Sequence, residues 1–150
     1  AATVGDFVLQ RRDGLFAYQL AVVVDDDAQG ITDVVRGCDL LSSTARQVLL
    51  QRALRLPAVR YLHLPLAVDD RGLKLSKSGD APAVGNGTGL ARHLVSVLDF
   101  LGQSPPQSLA TAPLDTVWAW ARDHWRVEGF AGCAARAVPQ DVACENTASD

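Results

Sequence analysis

The sequence predicts an α/β chain: part of a parallel sheet, then a small helical appendage, then a polar tail. Three observations carry that prediction. Short β-prone runs alternate with helical segments through the first half, with single crossovers, as a parallel sheet requires. Residues 81–89 are rich in Gly, Pro and Asn and read as a loop between two regions. Beyond that loop the apolar spacing is helical, and from Gly132 onward apolar content falls away. The divisions expected are 1–80 for the sheet-bearing part, 81–131 for the helical appendage and 132–150 for a flexible tail. Neither an internal repeat nor a low-complexity segment occurs.

Composition narrows the class. The 150 residues are enough to bury a core, and 48% are hydrophobic against 21% charged, an ordinary globular balance. No apolar run approaches the roughly 20 residues that span a bilayer, and the opening Ala1-Ala2-Thr3-Val4-Gly5-Asp6 lacks the basic and apolar regions of a signal peptide. The three cysteines, Cys38, Cys133 and Cys144, match neither a disulfide framework nor a zinc spacing, so inert thiols in a reducing cytoplasm are expected. A net charge of −3 argues against a wholly electrostatic nucleic-acid binder but leaves room for a local basic site.

Each element follows from local chemistry. Residues 7–12 form an extended run that Asp13-Gly14 ends with a turn. Residues 15–24 are apolar apart from Gln19; the run Val22-Val23-Val24 suits a buried strand, but periodicity cannot separate that from a buried helix. Asp25 to Gly30 is expected to break the chain as a solvated acidic turn with no metal ligand, and Ile31 to Val35 reads as a strand ending at Arg36-Gly37. Ser42 or Ser43 is the expected N-cap of a helix over 44–56, with Val48, Leu49, Ala53 and Leu56 on one face and Pro57 as its stop. Arg46, Arg52, Arg55 and Arg60 make this region basic, which fits a solvated helix face better than phosphate contacts. Residues 61–64 are a short strand, and 66–68 with 73–75 flank an acidic turn as a hairpin. Leu90, Leu94, Val97, Leu98 and Leu101 mark a helix that Gly102 ends, and Asp115 is placed to cap a last helix through Arg122 that carries Trp118.

One segment stands out chemically. Of fourteen basic residues only Lys74 and Lys77 are lysine, and they sit together in Leu73-Lys74-Leu75-Ser76-Lys77-Ser78. Lysine is a compact, mobile point charge, suited to following phosphate oxygens where arginine's planar fork is not. Glycines and acidic turn residues on both sides predict a mobile loop, which by composition alone is equally readable as a solvated hairpin tip.

Lys-Leu-Ser-Lys-Ser resembles the second signature of class I aminoacyl-tRNA synthetases, a loop that closes over ATP. Two further blocks stand in the right order: residues 6–26, with Arg11-Arg12-Asp13-Gly14-Leu15-Phe16-Ala17-Tyr18, and Gly30-Ile31-Thr32-Asp33-Val34-Val35-Arg36-Gly37, before His63-Leu64-Pro65-Leu66 leads into the lysines. Jointly they resemble the C-terminal half of the Rossmann-type catalytic domain of glutamyl-tRNA synthetases. Within that group residues 11–18, and an end about seventy residues beyond Ser78, are closer to the shorter glutamyl-Q tRNA(Asp) branch. No His-x-Gly-His-like signature or first nucleotide-binding strand is present, so the chain is expected to be part of an enzyme and inactive in isolation.

The resemblance implies ATP-dependent activation of glutamate and transfer to queuosine in the tRNA(Asp) anticodon loop. The alternatives are charging of tRNA(Glu), or a non-catalytic tRNA- or nucleotide-binding module. It implies ATP with Mg as cofactor; the family's zinc site belongs to the half not seen here, so no metal ligand is assigned. By the same resemblance Lys77 and Lys74 are the catalytic cations, and Ser76 and Leu64 join them in binding ATP. Tyr18 and Arg36 bind glutamate, and Asp39 and His63 stand near nucleotide or substrate. A monomeric, cytoplasmic full enzyme is implied.

Overall fold

The computed structural model describes residues 5–69, 71–75, 89–128 and 135–138. The chain divides into two units, Ala1–Leu64 and Pro65–Asp150.

The first unit opens with a tight turn. Gln10 and Phe16 bridge antiparallel around Asp13-Gly14, Gly14 takes φ +85°, and the Leu15 amide donates to Asp13 Oδ1 at 3.2 Å. Helix α1, Tyr18–Ala28, resolves the strand-or-helix ambiguity in favour of helix, with Val23 buried. Asp25, Asp26 and Asp27 lie inside α1, correcting the expectation of a break there. What stops the helix is Gly30, whose φ of +68° is the left-handed conformation that glycine reaches without a Cβ penalty.

Strands β1, Asp33–Gly37, and β2, Arg60–Leu64, then pair in parallel, with Arg36 opposite His63 and Gly37 opposite Leu64. Parallel neighbours need a crossover, which helix α2, Leu41–Leu54, supplies. Asp33 and Arg60 join the strand starts through Nε–Oδ1 at 2.6 Å and Nη2–Oδ2 at 2.8 Å. That exposed pair marks register more than it adds stability.

Helix α2 departs from its prediction twice. A 3-10 turn, Cys38–Leu40, runs straight into it, so the helix starts early and neither Ser42 nor Ser43 caps it. Its buried residues are Ser43, Gln47, Leu50 and Gln51, whereas Leu49 is 55% exposed and Ala53 is exposed. The helix turns a largely polar stripe inward because the sheet face it covers carries Arg36, Tyr61 and His63, which need hydrogen-bond partners when removed from water. Arg55, at φ +60°, ends the helix two residues before Pro57.

In the second unit β3, Leu66–Val68, has a neighbour on each side. Residue 74 bridges it antiparallel as the far arm of the expected hairpin, and β4, Ala135–Ala137, pairs with it in parallel. That short strand lies within the segment read from sequence as a tail. Helices α3, Leu90–Phe100, and α4, Leu114–His124, pack Val95, Leu98, Val117 and Ala121 into a core, with Leu94, Leu109 and Trp120 around it. Gly102 at φ +71° follows α3 as expected. Asp115 does not cap α4; Pro113 holds the N-cap position, and Asp115 stands in the first turn, where its charge complements the helix dipole. Buried Gln103 ties the two helix ends by donating to Leu101 O and Arg126 O and accepting from the Arg126 amide. Among the described residues no helix is long and apolar enough to cross a membrane.

Candidate functional site

The first unit gathers most of the residues singled out above at the C-terminal ends of β1 and β2, where open α/β sheets receive ligands. Arg36 points to the face that α2 covers. Its Nη1 donates to Gln47 Oε1 at 2.7 Å, Nη2 to Thr44 Oγ1 at 2.8 Å and to Leu40 O at 3.3 Å, and Nε to His63 Nε2 at 3.4 Å. The guanidinium carbon also lies 4.9 Å from the centre of the Tyr61 ring. Four of arginine's five N–H groups are thus engaged, leaving one on Nη1. All these partners are neutral oxygens, a ring nitrogen or a ring face. The geometry fixes the cation without cancelling it, and among the described residues Arg36 is in no ion pair.

His63 is part of the same arrangement. Its Nε2 accepts from Arg36 and lies 3.1 Å from Thr44 Oγ1, which can accept from Arg36 and donate onward to the imidazole. Its ring stacks on Tyr61 at 6.2 Å. Burial, and then the Arg36 charge, hold its pKa below the usual histidine value, in keeping with a neutral ring whose Nε2 is bare. Tyr61 accepts from Gln51 Nε2 at 3.0 Å through its hydroxyl. Its pKa is raised chiefly by burial; Asp26 and Tyr18 act in the same direction, against the Gln51 bond and Arg36.

Tyr18 is the first residue of α1, half exposed and within electrostatic reach of Tyr61. The residue after it, Gln19, donates to Ser43 Oγ at 3.0 Å and accepts from Gln47 Nε2 at 3.0 Å, so the start of α1 is tied to the Arg36 network. Asp39 folds back over the end of β1: a Cβ on Gly37 would lie 2.6 Å from its Oδ1. A side chain at that position would have to displace the exposed Asp39 carboxylate. Leu64, half-buried, closes β2 opposite Gly37.

The lysine segment divides. Lys74 belongs to the second unit, in a backbone-paired arm and not in a loop: Leu75 N–H donates to Ala67 O at 3.0 Å, and residue 74 bridges Val68. Ser76 and Lys77 lie outside the described residues. Two of the four arginines read as a solvated face have local partners, Arg60 on Asp33 and Arg46 over the Phe7 ring at 5.8 Å. Among the described residues no group of three or more His, Cys, Asp or Glu converges on a metal position.

Sequence reasoning missed Gln19, Ser43, Thr44, Gln47 and Gln51. One signal pointed to three of the five: Ser43, Gln47 and Gln51 recur at i, i+4 and i+8, a polar stripe on a single helix face.

A parallel strand pair with a half-buried arginine at its ligand-receiving edge, in no ion pair among the described residues, fits an α/β ligand-binding domain, and the sequence comparison gives its family. The chain belongs to the class I tRNA synthetases of the glutamyl and glutaminyl type: the family model for their catalytic domain matches residues 1–94. More particularly, it is similar to curated proteins named glutamyl-Q tRNA(Asp) synthetase. That of Dechloromonas aromatica is 57% identical over 122 residues, covering 81% of this chain and 40% of that protein. That of Pseudomonas aeruginosa is 53% identical over 131 residues, covering 87% and 44%. Among solved structures, the glutamate-tRNA synthetase of Elizabethkingia anophelis superposes with a TM-score of 0.62 at 26% identity, covering 90% of this chain and 31% of that one. A glutamate tRNA ligase from Elizabethkingia meningosepticum, in complex with its amino acid, gives 0.63 at 26%, covering 95% and 32%. These neighbours fit a class I synthetase catalytic-domain fold. The chain spans about 40% of the length of the curated relatives it matches.

Proposed function

We propose that this chain is the glutamate-binding, phosphate-contacting part of a glutamyl-Q tRNA(Asp) synthetase. The observation that supports this reading best is Arg36, a cation held rigidly by neutral partners at the carboxyl ends of two parallel strands. Such a group suits a carboxylate substrate. It offers a charge that none of its described partners neutralises and one N–H that they leave unused, and it loses little entropy on binding because it is already fixed.

In the proposed reaction a glutamate carboxylate oxygen attacks the α-phosphorus of ATP. The bond from that phosphorus to the bridging oxygen breaks, pyrophosphate leaves, and glutamyl-adenylate remains. A hydroxyl of queuosine in the tRNA(Asp) anticodon loop then attacks the acyl carbon, its proton is lost to solvent or base, and AMP departs. Arg36 holds a carboxylate of glutamate and Tyr18 contributes its hydroxyl. Asp39, His63 and Leu64 border the nucleotide. Lys77, with Lys74 and the Ser76 backbone, stabilises negative charge that grows on the phosphoryl oxygens, and magnesium enters with the nucleotide as part of the substrate. Identities of 57% and 53% to proteins named glutamyl-Q tRNA(Asp) synthetase support queuosine over the tRNA(Glu) 3′ end.

The test is Arg36→Ala in the full-length protein, read by glutamate-dependent ATP–pyrophosphate exchange. Loss of one charge-assisted hydrogen bond, on the order of 2 kcal/mol, corresponds to about a thirtyfold rise in glutamate KM with ATP KM little changed. Unaltered glutamate kinetics would remove Arg36 from the site.

A further inference from the structure

Gln47 is 1% exposed, the most deeply buried polar side chain among the described residues. Burying an amide is unfavourable unless both of its ends are satisfied. Here both are: Oε1 accepts from Arg36 Nη1 at 2.7 Å, and Nε2 donates to Gln19 Oε1 at 3.0 Å. Gln19 in turn donates to Ser43 Oγ, so one chain of hydrogen bonds runs from Arg36 on β1, through α2, to the residue beside Tyr18 on α1.

The identity of that residue matters. A glutamate of the same length could reach Arg36 with the same oxygen and would hold it more strongly, as a charge-assisted pair. It would also cancel the charge that a substrate carboxylate needs. An amide supplies the acceptor and no charge, and the other partners of Arg36, Thr44 Oγ1, Leu40 O, His63 Nε2 and the Tyr61 face, are neutral as well. We propose that Gln47 is a positioning and specificity-determining residue: it fixes Arg36 and, by being an amide and not a carboxylate, leaves the guanidinium charged for an anionic amino acid. This rests on the reading of Arg36 as a glutamate contact.

The experiment compares Gln47→Glu, Gln47→Met and Arg36→Ala in the full-length protein. Glutamate KM, ATP KM and kcat are measured by ATP–pyrophosphate exchange, and the His63 ring protons are titrated by NMR. Gln47→Glu should raise glutamate KM about tenfold or more while kcat and ATP KM stay within about twofold, because the added carboxylate competes with the substrate's own. In an Arg36→Ala background the same change should have little further effect, since the two residues act as one unit. Gln47→Met, similar in shape but without polar ends, should raise glutamate KM by a smaller factor, about threefold to fivefold, through loosened positioning alone. The His63 titration should move upward in Gln47→Glu, where a negative charge has entered the network, and not in Gln47→Met.

Three outcomes overturn the proposal. The first is glutamate KM within twofold of wild type in both Gln47 variants while Arg36→Ala raises it. The second is a Gln47→Met defect as large as that of Gln47→Glu, which would make the residue a packing element. The third is an Arg36→Ala protein with normal glutamate kinetics, which removes the reading of the site itself and this inference with it. Should Gln47→Glu not fold, Gln47→Met decides the positioning role alone: a threefold to fivefold rise in glutamate KM without a fall in kcat supports that role, and an unchanged KM overturns the proposal.

Discussion

His63 has to remain neutral for the Arg36 network to hold. Its Nε2 accepts a hydrogen bond from Arg36, and a proton on that nitrogen would replace the bond with two cations in contact. Burial and the Arg36 charge lower its pKa in the folded state. The unfolded chain therefore binds the proton more readily, and stability rises with pH across the interval between the two values. It is complete above the unfolded value, about 6.5, and declines as pH falls through it toward the folded one. Urea denaturation at pH 7.5 and pH 5 should show this loss, and His63→Gln should reduce it. A pH dependence identical in the variant would mean that other groups carry it. His63 was legible in the sequence through the block around it, but its partner Thr44 was not. A threonine near a helix start has many uses, and only the fold shows that its hydroxyl reaches the guanidinium.

At the scale of elements, turn chemistry proved more legible than helix faces. The hairpin was readable because Asp69 and Gly72 each have a local reason to be there. The Asp69 carboxylate accepts from the Arg71 amide at 3.0 Å and the Leu73 amide at 2.8 Å, and Gly72 adopts φ +77°. Asp69→Ala removes the Oδ1 that accepts both hydrogen bonds, costing about 1–2 kcal/mol locally. The Leu73 amide should then exchange with solvent about tenfold faster, whereas amides around Val95 and Val117 should not change; uniform loosening would instead place Asp69 in the stability of the whole unit. Helix α2 was harder to read. Its apolar residues Leu49 and Ala53 suggested one buried face, yet the helix buries Ser43, Gln47 and Gln51. Hydrophobic patterning assumes an apolar surface opposite, and here the opposite surface is Arg36 and Tyr61. The acidic end of α1 misled as well: three aspartates favour turns by propensity, but the helix runs through them to the left-handed Gly30.

For the whole molecule, the alternation of strand and helix was enough to give a parallel α/β unit, and the family blocks were enough to point to a synthetase. Neither could reveal that Arg36 uses most of its donors on its own chain, because that depends on how the 3-10 turn, α2 and β2 converge on one side chain. The most consequential part of the proposed function is transfer of glutamate to queuosine by the full-length protein. Its most direct test is transfer of radiolabelled glutamate by the full-length protein, with ATP, to tRNA(Asp) that contains queuosine, to the same tRNA lacking it, and to tRNA(Glu). Label confined to queuosine-containing tRNA(Asp) is the expected result. Label on tRNA(Glu), or on tRNA(Asp) regardless of queuosine, would contradict it.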